Sequence, residues 1–177
     1  SRVLGGAGNV VNNLVSLGAL VDIISVIGEC DTSKELKELL HEIKVDSKHL
    51  IIQKSRITSK KSRIIASQQQ VARYDRENTE EISLRSQTKI LETFNNIVND
   101  YDLILLSDYG KGLLTIELTQ SLINIANQNN KKVLIDPKGF DYSKYKGAYL
   151  LTPNKKEAAE ASKIDINNIE TLNEAII

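Results

Sequence analysis

Apolar positions return along this chain at two periods. Val10, Leu14 and Leu17, joined by Val11 and Val15, recur at helical spacing, so a helix is predicted from about Gly8 to Leu17, ended by Gly18. The next run, LVDIISVIG, is nearly continuous in apolar residues and predicts a buried strand stopped by Gly28. DTSKELKELLHEI is helical again, capped by Asp31 or Thr32, with Leu36, Leu39, Leu40 and Ile43 on its core face. The texture then changes. HLIIQ, KSRIIAS and QQQVARYD are short, extended and partly alternating, the pattern of strands in a small antiparallel sheet with one face in water. From Ser86 the helix–strand alternation resumes: a helix over about 88–98, the strand DLILLSD, a helix over 115–127, the strands KKVLID and AYLLT, and a helix opening at NKKEAAEAS.

Strands alternating with helices of this length imply right-handed crossovers and an α/β architecture, a mostly parallel sheet with helices on both faces. The stretch at about 48–80 then stands beside that sheet as an insertion or lid. Composition agrees with a folded globular chain: of 177 residues, 41% are hydrophobic and 26% charged. Lys and Arg balance Asp and Glu at 23 each, so no global field attracts nucleic acid or an anionic membrane. The single cysteine, Cys30, permits neither an internal disulfide nor a cysteine-cluster metal site and fits a reducing cytoplasm, the expected location. No apolar run is long enough to span a bilayer, and no signal peptide opens the chain. The absence of Met, the strand-like start SRVL and the uncapped helical pattern NNIETLNEAII lead us to expect an incomplete domain.

Three glycines, Gly5, Gly6 and Gly8, precede the first helix. A dinucleotide fingerprint needs a third glycine where Val11 stands, although Glu29 or Asp31 would serve as its acid, so a dinucleotide-binding oxidoreductase domain stays open as an alternative. No Gly-Lys-Ser/Thr comes after them, which excludes a Walker A loop. The glycines serve either a tight turn or a close ligand approach, and Asn9 offers an amide at a helix start that can bind hydroxyls.

Three strand ends carry polar groups in succession: Asp108 in SDYGKG, Asp136 and Lys138 in IDPKG, and Asn154 and Glu157 in LLTPNKKE. Ligands in open parallel sheets gather at such carboxyl ends. Asn154 and Glu157 lie one helical turn apart and suit either a hydrated magnesium ion or a plain capping box. Asp108 suits either sugar hydroxyls or a metal's water shell, or else a helix cap or a turn. In the lid, Lys61, Arg63 and Arg73 accompany Asp75; alternate residues of a strand share a face, so Lys61 and Arg63 either hold a phosphate together or form a solvated surface. His41 and His49 have no metal-ligand spacing, and no Ser/His/Asp or Cys/His arrangement is evident. The tyrosines lack the basic interleaving of a nucleic-acid platform.

GGAGN, TSKKSR…QQ…RYD, SDYGKG, DPKG and TPNKKE occur in the order found in ribokinase-like (PfkB-type) sugar kinases, and the chain resembles that family over nearly its whole length. The Lys61/Arg63, Gln69-Gln70 and Arg73/Asp75 pattern, with SDYGKG and DPKG, resembles its heptose 7-phosphate kinase branch, whose members in many bacteria form the N-terminal half of a bifunctional protein. The resemblance implies a three-layer α/β/α fold with a small antiparallel β lid, so residues 1–177 would be a partial kinase domain. It implies ATP and Mg2+ as cofactors, a phosphorylated sugar as substrate and a homodimer formed through the lid strands. Gly5, Gly6, Asn9, Lys61, Arg63, Arg73 and Asp108 would bind substrate. Lys138, Asn154 and Glu157 would meet nucleotide phosphates, Glu157 also meeting metal indirectly through water. Another sugar or nucleoside kinase of the same family is the near alternative. The family's Gly-Ala-Gly-Asp turn, which supplies the catalytic base, does not occur in these 177 residues. No catalytic residue is therefore assigned here; the base Asp is expected beyond Ile177, and this length of chain alone is expected to be inactive.

Overall fold

The structure is a computed structural model that describes residues 2–67 and 69–176. Ser1 of SRVL, Gln68 of QQQVARYD and Ile177 of the last helical pattern lie outside the described residues. The chain divides into two compact units, one of residues 1–93 with 111–113, the other of residues 94–110 with 114–177.

In the first unit, α1 (Ala7–Ser16) comes directly after the glycine turn, and β1 (Ser25–Ile27) is a strand of three residues. The predicted run LVDIISVIG is shortened because its only ladder partner among the described residues, β2 (Leu50–Ile52), also offers three residues. Leu20, expected in a buried strand, is 96% exposed. Helix α2 (Asp31–Glu42) is entered through Cys30 rather than capped by Asp31 or Thr32, and His41 stands in its last turn, where the helix dipole favours a cation. Val11, Ile27, Leu40, Val45 and Leu50 form the core, with Leu36 and Ile43 packed against it.

HLIIQ departs from expectation. β2 pairs in parallel with β1, Val26 opposite Ile51, and does not join an antiparallel sheet. Leu50 is buried in the core, Ile51 is half-buried and Ile52 is exposed. The antiparallel pair is the hairpin of β3 (Lys60–Ala66) and β4 (Gln69–Arg76) alone, with a register shift between Ile64 and Ile65. Both of its faces are open: Ile64, Ile65, Val71 and Tyr74 are all exposed. Helix α3 (Leu84–Ile97) crosses the boundary between the units and begins four residues earlier than predicted.

In the second unit, β5 (Leu103–Ser107), β6 (Lys132–Asp136) and β7 (Leu150–Leu151) form a parallel sheet in that order. Helix α4 (Ile116–Gln128) makes the crossover from β5 to β6, its first turn capped by the Thr115 hydroxyl, which accepts the Leu118 N–H at 3.2 Å. Ile104, Leu106, Val133 and Ile135 are buried on one sheet face, and Leu118, Leu122, Ile123 and Ala126 are buried on α4. Burying a side chain of this kind contributes roughly 1.5–3 kcal/mol before conformational entropy is counted. Helix α5 (Lys155–Ser162) comes after β7, and α6 (Ile169–Ala175) after α5.

Candidate active site

The parallel strands of the second unit end side by side, and each of them runs into polar residues. After β5, Asp108 extends the ladder, donating its N–H to the Asp136 carbonyl at 2.9 Å. Its side chain is buried. Oδ1 accepts the Gly110 N–H at 2.7 Å, and Oδ2 accepts the Lys144 ammonium at 2.6 Å and the Tyr145 hydroxyl at 2.7 Å. An ionised carboxylate only accepts, so these three donors satisfy it inside the fold. Asp108 thus closes a turn through the Gly110 N–H and also forms a buried ion pair with Lys144.

After β6, Pro137 is buried and the Lys138 N–H donates to the Tyr145 hydroxyl at 3.0 Å. Burial pushes the Tyr145 phenol well above its ordinary range, and it stays protonated to donate to Asp108. The Lys138 side chain turns outward, its ammonium 2.9 Å from Glu157 Oε1. This partner raises the Lys138 pKa, and in return Lys138 holds Glu157 below the usual carboxylate value. Asp136 behaves oppositely: burial, then the Glu157 charge, raise its pKa against the weak help of Ser107, whose hydroxyl is 3.5 Å away.

After β7, Asn154 and Glu157 form a capping box. Asn154 Oδ1 accepts the Glu157 N–H at 3.0 Å, and Glu157 Oε2 accepts the Asn154 N–H at 3.1 Å. Of the two roles left open for this pair, the capping box is present, and Glu157 adds to it the ion pair with Lys138. No group of three or more His, Cys, Asp or Glu side chains suited to holding a metal ion occurs among the described residues. Both oxygens of Glu157 are engaged within the fold, Oε1 by Lys138 and Oε2 by the Asn154 N–H.

The remaining candidates lie in the first unit. Gly5 and Gly6 precede α1, and Gly6 takes φ +53°, ψ −132°, a conformation that glycine adopts without steric cost. Asn9 is exposed in the first helical turn. Val11, at the position a dinucleotide fingerprint reserves for glycine, is part of the hydrophobic core.

Lys61 lies opposite Asp75 and Arg63 opposite Arg73 in the β3–β4 register. Directly opposed residues share a face, so the three cations and one carboxylate are gathered on one side of the hairpin. Arg73 clamps Asp75 through two bonds, Nε to Oδ1 at 2.9 Å and Nη2 to Oδ2 at 2.7 Å. Arg73 is the main cause of a lowered Asp75 pKa, with smaller contributions from Lys61 and Arg63.

Three residues that hold these elements carry no sequence motif. Lys144 and Tyr145 anchor Asp108 from a short helical turn. Arg56 is buried in the first unit and donates to the carbonyls of Glu80, at 3.1 Å, and Lys111. Those carbonyls come from segments 24 and 55 residues away, which no local pattern reveals.

The profile of the pfkB family of carbohydrate kinases matches residues 1–176. The bifunctional protein HldE of Aliarcobacter butzleri is 58% identical over 99% of this chain and 37% of its own length. HldE of Sulfurimonas denitrificans is 55% identical over the whole chain, again 37% of that protein. The chain therefore spans a little over one third of these curated relatives. Among solved structures, an Arabidopsis thaliana ribokinase complexed with ribose and ATP superposes with a TM-score of 0.74 over 99% of this chain and 57% of its own, at 16% identity. At that identity the likeness is one of fold, and it is the ribokinase-like α/β fold.

Proposed function

We propose that this chain, which belongs to the pfkB family of carbohydrate kinases, is part of an enzyme that phosphorylates D-glycero-D-manno-heptose 7-phosphate on its anomeric hydroxyl. The product is the 1,7-bisphosphate, on the route to ADP-heptose and the lipopolysaccharide core. The observation that carries the substrate assignment is the hairpin face where Lys61, Arg63 and Arg73 gather, because such a face suits a sugar that already bears a phosphate. The bifunctional relatives support the same branch.

In this proposal Gly5 and Gly6 clear space for the sugar and Asn9 binds its hydroxyls. Lys61, Arg63 and Arg73 hold the existing phosphate from the β3–β4 hairpin, acting as a lid within a partial kinase domain. Lys138, Asn154 and Glu157 meet the nucleotide phosphates, and Asp108 belongs to the same strand-end cluster. ATP supplies the phosphoryl group, and Mg2+, met by Glu157 through water, neutralises its charge. Phosphoryl transfer asks mainly for position and charge stabilisation, and this chain's residues supply position. The base and the helix-end amides of a Gly-Ala-Gly-Asp turn are not among its 177 residues. Pairing of the open hairpin with a second copy would give a homodimer in the cytoplasm.

The test is a panel of sugars offered with ATP to the full-length protein, ADP formation being followed. Heptose 7-phosphate should be the best substrate and unphosphorylated heptose a poor one. A preference for unphosphorylated sugars or nucleosides would sink the assignment. Residues 1–177 alone should form no ADP.

A further inference from the structure

We propose that Tyr145 is a positioning residue for phosphoryl transfer: its hydroxyl, fixed by the Asp108 carboxylate, sets the backbone at Lys138 and so places the Lys138 ammonium. The inference rests on the kinase function proposed above and on the assignment of Lys138 to the nucleotide phosphates.

The geometry behind it is a directed relay. The phenol has one proton, and Asp108 Oδ2, 2.7 Å away, takes it as a hydrogen-bond acceptor. A lone pair is then left for the Lys138 N–H at 3.0 Å. The Asp108 carboxylate also accepts from Lys144 and from the Gly110 N–H, so it cannot turn without breaking several bonds. The Tyr145 ring is 2% exposed and packs against Tyr142 at 5.8 Å between centroids.

The position of Lys138 shows why such an anchor matters. β6 ends at Asp136, and Pro137 has no N–H to donate. Gly139 comes next with φ +94°. Lys138 therefore offers the first amide past the strand, and Tyr145 is its acceptor. From that anchored amide the side chain runs past Gly110, where an added Cβ would meet Lys138 Cγ at 3.4 Å, to Glu157. A displaced turn would carry the ammonium with it, and shifts of about 1 Å in a positioned group cost on the order of 100-fold in rate.

The experiment uses the full-length protein with Tyr145→Phe, which keeps the ring and removes the hydroxyl. We expect KM for ATP to rise about tenfold while KM for the sugar phosphate is unchanged. Exchange of the Lys138 amide should accelerate about tenfold. In a Lys138→Ala background the same change should cost less than about twofold more, because the residue through which Tyr145 acts is gone. Equal losses in the two backgrounds, an unaltered KM for ATP, or an equally protected Lys138 amide would each overturn the proposal. If Tyr145→Phe does not fold at assay temperature, the same comparison is made at the highest temperature at which it stays folded, with the wild type measured beside it. A full-length wild-type protein that phosphorylates no sugar would overturn the kinase function, and amide exchange would still decide whether Tyr145 holds the turn.

Discussion

Lys138 and Glu157 meet at 2.9 Å, Nζ to Oε1, across nineteen residues of chain. Glu157 is thereby committed twice, to the ion pair and to the capping box of α5. The two commitments separate by mutation. Glutamine at the third helical position sustains a capping box, so Glu157→Gln should keep stability within about 0.5 kcal/mol and raise KM for ATP. Glu157→Ala loses the box as well and should cost about 1 kcal/mol more, read from urea unfolding.

The same pair sets a pH dependence. Lys138 is the main reason that the Glu157 pKa lies below its ordinary 4.5. A depressed carboxylate contributes stability that is in place above the unfolded value and is lost as pH falls through the folded one. Melting curves of the wild type should therefore fall below about pH 4.5 more steeply than those of Glu157→Gln.

Asp136 has the opposite sign. Its pKa is raised, so its ionised form opposes folding once the pH exceeds that of the unfolded group. Asp136→Asn should raise the melting temperature at pH 7, by about 1 °C for a chain of this size, and leave it unchanged at about pH 3, where both side chains are neutral. A gain of equal size in acid would show that charge is not the cause.

Gly112 and Gly139 both have positive φ but differ in surroundings. A Cβ at Gly112 would stand 2.0 Å from the Glu80 carbonyl oxygen, in backbone that Arg56 also holds, whereas one at Gly139 meets nothing within 4 Å. Gly112→Ala should cost more than about 3 kcal/mol, Gly139→Ala only about 1–2 kcal/mol of left-handed backbone strain. Thermal unfolding of the two variants compares them directly.

Lys61→Ala and Arg63→Ala remove side chains from a solvent-exposed hairpin and should change stability by less than about 0.5 kcal/mol. Each should raise KM for a phosphorylated sugar about tenfold while scarcely affecting an unphosphorylated one. Equal effects on both substrates would remove the phosphate contact. Kinetics unchanged with loss of the dimer in sedimentation would leave the hairpin a purely structural role.

Much of the second unit is legible in the sequence because its signals are local. DLILLS and KKVLID are apolar runs of strand length, Thr115 caps the helix between them, and Asn154 with Glu157 is a capping box spelled in four residues. HLIIQ misleads because three strand residues carry no usable period, and only the position of β1 decides whether they pair in parallel. Leu20 and its neighbours mislead for a related reason: apolar character without a partner strand makes no ladder. At the strand-end site, Asp108 and Lys138 announce themselves by standing just past strands, but Tyr145 and Lys144 do not.

The sequence by itself determined the alternation of helices and strands, the polar groups at three successive strand ends, and the spacing that gathers Lys61 and Arg63 on one face. These come from periods of 3.6 and 2 residues and from cap chemistry, all acting within one turn or one strand. The tertiary structure decided which groups are spent inside the fold. Asp108 is the plainest case: its carboxylate is satisfied by a lysine and a tyrosine 36 and 37 residues away, and that pairing needed the chain to pass through α4 and β6 and return. A buried charge takes whatever donors the packing brings to it, because leaving it unpaired costs more than most folds can bear.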